Sequence, residues 1–390
     1  MRPRENFQTP KVLLVSFSHF IHDIYTSFLS PLLPLIIEKL SLTLGQAGLL
    51  STVMQIPALA NPLIGLFADN KGLARWLVIL APSMTALPMC LMGNASAYWQ
   101  LLVLAFLAGI SVALYHVPSP VLIAGYAGNQ RGKGMSFYMT GGESARSLGP
   151  IFAVGAVSLL GLENLYWVLG FALATSFLLW ATLERQSQPG PLKKRGSLKE
   201  SYREVAHVLK PLTGLLSAQA LMYGAMGTFL TVYVERQTGN IWLSGAALAI
   251  YEAFGVVGVM ASGTLSDKLG RKRILMWATL TAPLLVILFT LTSGVIQIVA
   301  LCAAGFAVLS NGPVMLALIQ DAARENPAAG NGLFMMVSFA IRSLGVVIVG
   351  LMGDAMGMNQ MFICSSILAF IGLPFILKLE KQGDIHVKNQ

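Results

Sequence analysis

Twelve stretches of this sequence are each long and apolar enough to cross a bilayer. They fall at approximately 12–37, 46–68, 75–93, 98–126, 134–160, 163–183, 212–234, 242–266, 273–292, 295–319, 330–353 and 358–378. A spanning helix needs roughly 20 predominantly apolar residues. Within hydrocarbon the backbone must satisfy its own hydrogen bonds, so segments of this kind fold as helices. The expected fold is therefore an all-α membrane protein of twelve transmembrane helices. Composition agrees: 55% of residues are apolar and 11% are charged, against about 25% charged in soluble domains. Too few polar groups remain to cover a soluble surface, which excludes a soluble enzyme, a disordered chain and a nucleic-acid binder. Cys90, Cys302 and Cys364 stand far apart in apolar context and read as buried spectators.

Most connections are a few residues long. The exception is 184–211, which is polar, basic and rich in Gly and Pro, and reads as a linker with a surface helix near 198–209. It divides the chain into an N-terminal six-helix bundle, 1–183, and a C-terminal six-helix bundle with a short tail, 212–390. Twenty-two of the 26 Lys and Arg residues fall on the side that holds both termini, and only Lys39 and Arg236 fall on the other. That asymmetry makes the first side cytoplasmic. It also assigns the formal charge of +9 to a membrane surface rather than to nucleic acid. The start, MRPRENFQTPK, reads as a basic lead-in rather than a cleavable signal.

The two halves repeat. GLFADNKG, from Gly65 through Asp69 to Gly72, follows the second span, and GTLSDKLGRKR, from Gly263 through Asp267 and Gly270 to Arg273, follows the eighth. Arg-Ser-Leu-Gly starts at Arg146 in the fifth span and again at Arg342 in the eleventh. Two matches at nearly one offset point to a duplicated six-span unit, a sign of a transporter built as two bundles around a central pathway. The Gly-x-x-x-Asp-x-x-Gly-Arg-Lys-Arg run resembles the signature loop of the major facilitator superfamily. Ser18-His19 and His22-Asp23 in span one, Gly109 and His116 in span four, and Ser147-Leu-Gly-Pro150 in span five are similar to the fosmidomycin-resistance branch of that superfamily. This resemblance implies a proton-driven exporter of the bacterial inner membrane. The chain departs from the usual pattern at Ala105, where an arginine is common, and after His116, where Val117 replaces a carboxylate.

Eight ionisable residues lie within the spans: His19, His22, Asp23, His116, Glu143, Arg146, Glu252 and Arg342. A charge at the bilayer centre costs about 2.5–3.5 kcal/mol, so the charged ones facing lipid would together cost on the order of 10 kcal/mol. They must face each other or a wet cavity. Ser16, His19, His22, Asp23, Thr26 and Ser30 recur at helical spacing within a sector of roughly 140°. A carboxylate beside two histidines is suited to loading a proton, with Glu252 as a second site or as counter-ion to Arg342. The alternative is that the stripe only joins helices by hydrogen bonds.

Glu143 and Arg146, three apart, can pair on one helix; the pair is either self-neutralising or opens to substrate. Arg342 has no acid within one turn, and its planar fork suits an anionic or zwitterionic substrate. His116 with Tyr115, and Gln219, Tyr223, Ser310 and Asn311, are candidate substrate contacts. Pro118 and Pro120 permit span four to bend. In the signature loops Gly65, Gly72, Gly263 and Gly270 permit tight turns, while Asp69 and Asp267 can accept hydrogen bonds from a helix N-terminus and latch a gate, with Arg271 in the adjoining basic run. That run, Lys268, Arg271, Lys272 and Arg273, either sets topology or meets anionic headgroups.

No phosphate-binding Gly-x-x-x-x-Gly-Lys run and no metal-ligand spacing occurs, so neither a nucleotide cofactor nor a metal is expected. The expected partners are a small-molecule substrate, protons and membrane lipids, and the chain is expected to act as a monomer. The reading is a secondary transporter that exports by proton antiport, with proton-coupled import of an organic anion as the alternative. A membrane enzyme would need reactive groups near a surface, where these loops are too short to build a catalytic domain.

Overall fold

The computed structural model describes residues 6–61, 64, 73–183, 198–323 and 327–379. Every regular element among them is helical: α1 Thr9–Thr26, α2 Leu29–Leu40, α3 Leu44–Gln55, α4 Ala74–Leu91, α5 Tyr98–His116, α6 Ser119–Ala127, α7 Arg131–Leu160, α8 Leu169–Thr182, α9 Leu198–Gly224, α10 Leu230–Thr238, α11 Ile241–Leu269, α12 Arg271–Leu291, α13 Gly294–Leu309, α14 Asn311–Ala322, α15 Pro327–Met356, α16 Met358–Ala369 and α17 Leu373–Leu377. Short 3₁₀ turns join several of these.

Ten stretches among the described residues are long and apolar enough to span a membrane. Two of the twelve expected segments are not among them. The second runs through α3 and a 3₁₀ turn into undescribed residues. The fifth, α7, is a continuous 30-residue helix whose charged residues, Glu143 and Arg146 among them, lower its apolarity. Large apolar side chains stand outward, such as Leu159 at 86% and Val295 at 76% exposure. On a water-soluble surface such side chains would form continuous apolar patches; against acyl chains they are the required solvent contact.

Several spans are broken at positions the sequence explains. Span one divides between α1 and α2 at Ser27 and Phe28, where the Ser27 hydroxyl donates to the Ile24 carbonyl at 2.7 Å. Span four divides after His116, ahead of Pro118, as the prolines predict. The repeat-related places in the second half are also irregular. Span seven contains a π-helical turn, Ala225–Phe229, and span ten divides at Ser310 between α13 and α14. Such local breaks free backbone groups inside an otherwise regular span, and they recur at functional places.

The chain forms two compact units. The first comprises Met1–Leu42, Leu50–Lys193 and Val234–Ala249, and the second comprises Thr43–Leu49, Lys194–Tyr233 and Ile250–Gln390. In the first, Val12, Val15, Val78, Ile79, Tyr115, Ile123, Tyr138 and Leu179 form a buried core. In the second, Val205, Leu209, Leu212, Leu215, Leu275, Val314, Met315, Ile319 and Ile376 do so. Residues 198–211 of the basic connection belong to that second core: they are the first half of α9 and bury Val205, Val208 and Leu209 at helical spacing. The stretch 184–197 lies outside the described residues.

Candidate functional site

The site in the first unit grows from α1. Pro10 sits in its first turn, where its missing N–H costs nothing, and no proline or glycine follows until the helix ends. The uninterrupted helix places His19, His22 and Asp23 on one turn. All three are buried, with Ser16 and Ser18 beside them. The fold adds His116 from the end of α5. The Asp23 carboxylate then has three imidazole neighbours: His22 Nδ1 at 2.7 Å from Oδ1, His19 Nε2 at 3.1 Å from Oδ2 and His116 Nε2 at 3.4 Å from Oδ1. His19 Nε2 and His116 Nε2 face one another at 3.3 Å.

The remaining ring nitrogens decide where hydrogens must be. His19 Nδ1 lies 2.8 Å from the Tyr138 carbonyl, and His116 Nδ1 lies 3.0 Å from the Val112 carbonyl. A carbonyl can only accept, so both Nδ1 atoms carry hydrogen and both Nε2 atoms of the neutral rings would present lone pairs. Two lone pairs would then meet each other and a carboxylate. His22 is fixed in the same way. The Ser111 hydroxyl donates to the Ala81 carbonyl at 3.1 Å, and the Thr85 hydroxyl donates to Ser111 at 2.7 Å. Thr85 Oγ1, 3.0 Å from His22 Nε2, is left to accept the Nε2–H. His22 Nδ1 thus also turns a lone pair towards Asp23 unless a further hydrogen lies between them. The geometry sets ring nitrogens against one another and against the carboxylate, an arrangement that additional hydrogens would relieve.

Supporting side chains hold this arrangement. His19 stacks on Tyr138 with ring centroids 3.9 Å apart, and His22 stacks on Tyr115 at 4.2 Å. The Tyr115 hydroxyl pairs with Ser18 at 2.7 Å, and the Tyr138 hydroxyl pairs with Ser119 at 2.6 Å. Gly142 on α7 leaves room for His19: a Cβ there would stand 2.5 Å from the ring's Cε1. Tyr115, expected to touch substrate, is fully buried and acts as a wall of the cluster. His116 is the most open histidine of the cluster: 36% of its side chain is exposed while that of His22 is fully covered. Thr85, Ser111, Tyr138 and Gly142 were not legible as site residues. The one local signal was the Gly141-Gly142 pair within a helical pattern, which implies a close neighbour.

No metal-ligand spacing is visible along the chain, yet His19, Asp23 and His116 each bring one donor atom to within 4.8 Å of the others. The third donor comes from a different helix, which spacing along the chain cannot reveal. This donor set is of a kind that suits a cation.

Elsewhere in the first unit, Arg146 Nη1 lies 3.5 Å from Glu143 Oε2 on α7, so the two are adjacent on one helix face and partly exposed. In the second unit, the Arg342 guanidinium lies 5.0 Å from the centre of the Tyr223 ring. The Tyr223 hydroxyl donates to the Val308 carbonyl at 2.8 Å. The Asn311 amide donates to Gln219 Oε1 at 3.2 Å, and the Gln219 amide donates to Thr279 Oγ1 at 3.0 Å. Glu252 is half-buried on α11. Four of the sequence candidates, Gln219, Tyr223, Asn311 and Arg342, thus gather where α9, α14 and α15 meet.

The first signature loop, with Gly65, Asp69 and Gly72, lies outside the described residues. In the second, Gly270 turns the chain at a φ of 95° between α11 and α12, a conformation glycine adopts without strain. Gly263 precedes it within α11. The structure places Asp267 3.7 Å from Arg271, and Arg271 reaches on to Asp321, with Nε 2.8 Å from Oδ2 and Nη2 donating to Oδ1 at 3.1 Å. Asp321 is a partner that sequence reading missed. Among the described residues, Asp354 receives a helix N-terminus: it accepts from the Leu44 and Gly45 amides of α3 at 2.7 and 2.8 Å, where the helix dipole favours negative charge.

Comparison with known proteins agrees with this fold. The sequence matches the profile of the Major Facilitator Superfamily over residues 15–346. It is 23% identical to the fosmidomycin resistance protein of Escherichia coli K12, over 92% of this chain and 90% of that protein. It is 29% identical to the multidrug resistance protein MdtG of Citrobacter koseri over 67% of each. The fold is similar to that of a bacterial homologue of the human lysosomal transporter Spinster in an inward-facing, unoccupied conformation. That likeness has a TM-score of 0.81 at 17% identity and covers 96% of this chain and 97% of the other. It is also similar to the nucleoside transporter NupG, with a TM-score of 0.75 at 14% identity, covering 95% of this chain and 99% of the other. The chain belongs to the major facilitator superfamily: it is an integral membrane protein of a family of secondary transporters, and not an enzyme.

Proposed function

We propose that this protein is a proton-coupled antiporter of the bacterial inner membrane. It exports a small drug-like or anionic or zwitterionic metabolite by alternating access. Twelve crossings with both termini cytoplasmic, and bundles 1–183 and 212–390 joined by the basic connection 184–211, complete the reading, and the chain works as a monomer. The observation that carries it is the convergence of His19, His22 and His116 on Asp23, where the ring tautomers leave acceptors facing acceptors unless hydrogens intervene. A site of this kind takes up and releases protons as its surroundings change from one side of the membrane to the other. His116 gives it an exposed edge. The names of the relatives, fosmidomycin resistance and multidrug resistance, support efflux as the direction. Arg342 and its neighbours support an anionic substrate.

The test is flux of fosmidomycin into proteoliposomes holding the purified protein, under imposed pH gradients of each sign. Antiport predicts concentrative uptake only when the lumen is acidic. Uptake only when the lumen is alkaline would select symport, the importer reading, and identical flux under both gradients would remove proton coupling altogether.

A further inference from the structure

We propose that the second unit carries a recognition subsite for a small organic anion. It takes a carboxylate on the Arg342 guanidinium and a hydrogen-bond donor of the same molecule on the Asn311 amide oxygen. The inference rests on the transporter reading and names a substrate class for it. Three observations in one neighbourhood carry it.

Arg342 Nε is buried and has no hydrogen-bond partner. The guanidinium instead lies against the Tyr223 ring, 5.0 Å from its centre. A ring face accepts no conventional hydrogen bond from Nε, so that N–H is left to be used by something else. The Tyr223 hydroxyl is occupied with the Val308 carbonyl, so the ring serves as a platform and not as a competing donor.

Asn311 is fully buried. Its amide nitrogen donates to Gln219, and Gln219 in turn donates to Thr279. The direction of that chain leaves Asn311 Oδ1 as a buried acceptor with no donor. One turn before Arg342 on α15, and on the same face, Ser338 Oγ is also buried without a partner. A buried polar atom left unpaired is unfavourable, and three such atoms on neighbouring helices point to a guest that supplies what they lack.

The chemistry of the guest follows from the unmet groups. The Nε–H asks for an anionic acceptor, and a carboxylate matches the planar fork. Asn311 Oδ1 asks for an N–H or O–H, as in a hydroxy- or acylamino-carboxylate. A lipophilic cation would meet a like charge at Arg342 and is disfavoured.

The experiment is thermal unfolding of the purified full-length protein with lactate, mandelate and hippurate, each beside its neutral primary amide, since binding raises apparent stability. At least one acid is expected to raise the unfolding temperature while its amide does not. Arg342→Gln should weaken that acid roughly tenfold to a hundredfold, the range of a lost charge-assisted hydrogen bond. Arg342→Lys should restore only part of it, because the fork is lost. Tyr223→Leu provides an independent variant that removes the platform and keeps the charge, and it should also weaken binding. Each variant's unfolding temperature without ligand reports whether it folds. Amides that stabilise as well as acids, acid binding undiminished in both Arg342→Gln and Tyr223→Leu, or no acid that stabilises would each overturn the subsite. Those results leave pH-driven flux untouched if the transporter reading is right. Acid binding that persists in a protein without pH-driven flux would contradict the transporter reading alone.

Discussion

Replacing Asp23 with Asn is expected to lower proton-driven concentrative flux about 100-fold while exchange of substrate at equal concentrations persists. Asn keeps the volume of Asp and removes the anion that the three imidazoles face. Asp23 is the shared acceptor of His19, His22 and His116. Hydrogen bonds to a charged group are each worth about 1.5–3 kcal/mol, and the loss of one such contact corresponds to roughly 100-fold in an equilibrium. The Asn amide also offers hydrogens of its own to the facing lone pairs, so the site no longer requires protons from solution. The two flux modes must be measured on the same proteoliposome preparation. If concentrative flux in Asp23→Asn matched the wild type, the cluster would be a helix-joining network, as the alternative reading of the span-one stripe holds.

Gly142→Ala is expected to be nearly as damaging, although it adds one methyl group to a helix. That methyl would stand 2.5 Å from His19 Cε1 and 2.8 Å from Nε2. The ring cannot tilt away cheaply, because it is stacked on Tyr138 and bonded to the Tyr138 carbonyl. Forcing a side chain from such a place costs about 1–3 kcal/mol. Here the displaced atom is also the one that meets Asp23. Proton-driven flux should fall roughly 10-fold to 100-fold, with the unfolding temperature lowered by a few degrees at most. Gly170→Ala in α8 provides the control, since nothing lies within 4 Å of a Cβ at that position, and it should transport normally. Equal flux in the two variants would show that the position of His19 does not matter for coupling.

What the sequence revealed and what it hid follow a physical line. Helical periodicity placed His19, His22 and Asp23 on one face because it depends only on backbone geometry within a single helix. The same local rule put Glu143 beside Arg146, and Pro118 foretold the break after His116. Tyr138, Thr85 and Ser111 join the cluster from three other helices, and each looks like an ordinary residue in its own span. Nothing local distinguishes a threonine that accepts from His22 from one that bonds back to its own helix. Asp321 and Asp354 were hidden for the same reason, since their partners, Arg271 and the α3 N-terminus, are distant in the chain. Residues 198–211 illustrate a different difficulty. Charge and Pro211 made them look like a linker, yet Val205, Val208, Leu209 and Leu212 keep an apolar face at helical spacing. Average hydropathy concealed a pattern that the helical period contains.

The most direct measurement is proton movement driven by substrate alone. Proteoliposomes containing the protein and a trapped pH-sensitive dye are loaded with fosmidomycin and diluted into buffer without it, with no imposed pH gradient. The account predicts acidification of the lumen as substrate leaves, abolished in Asp23→Asn. Substrate efflux with an unchanged lumenal pH, or acidification that persists undiminished in Asp23→Asn, would contradict it.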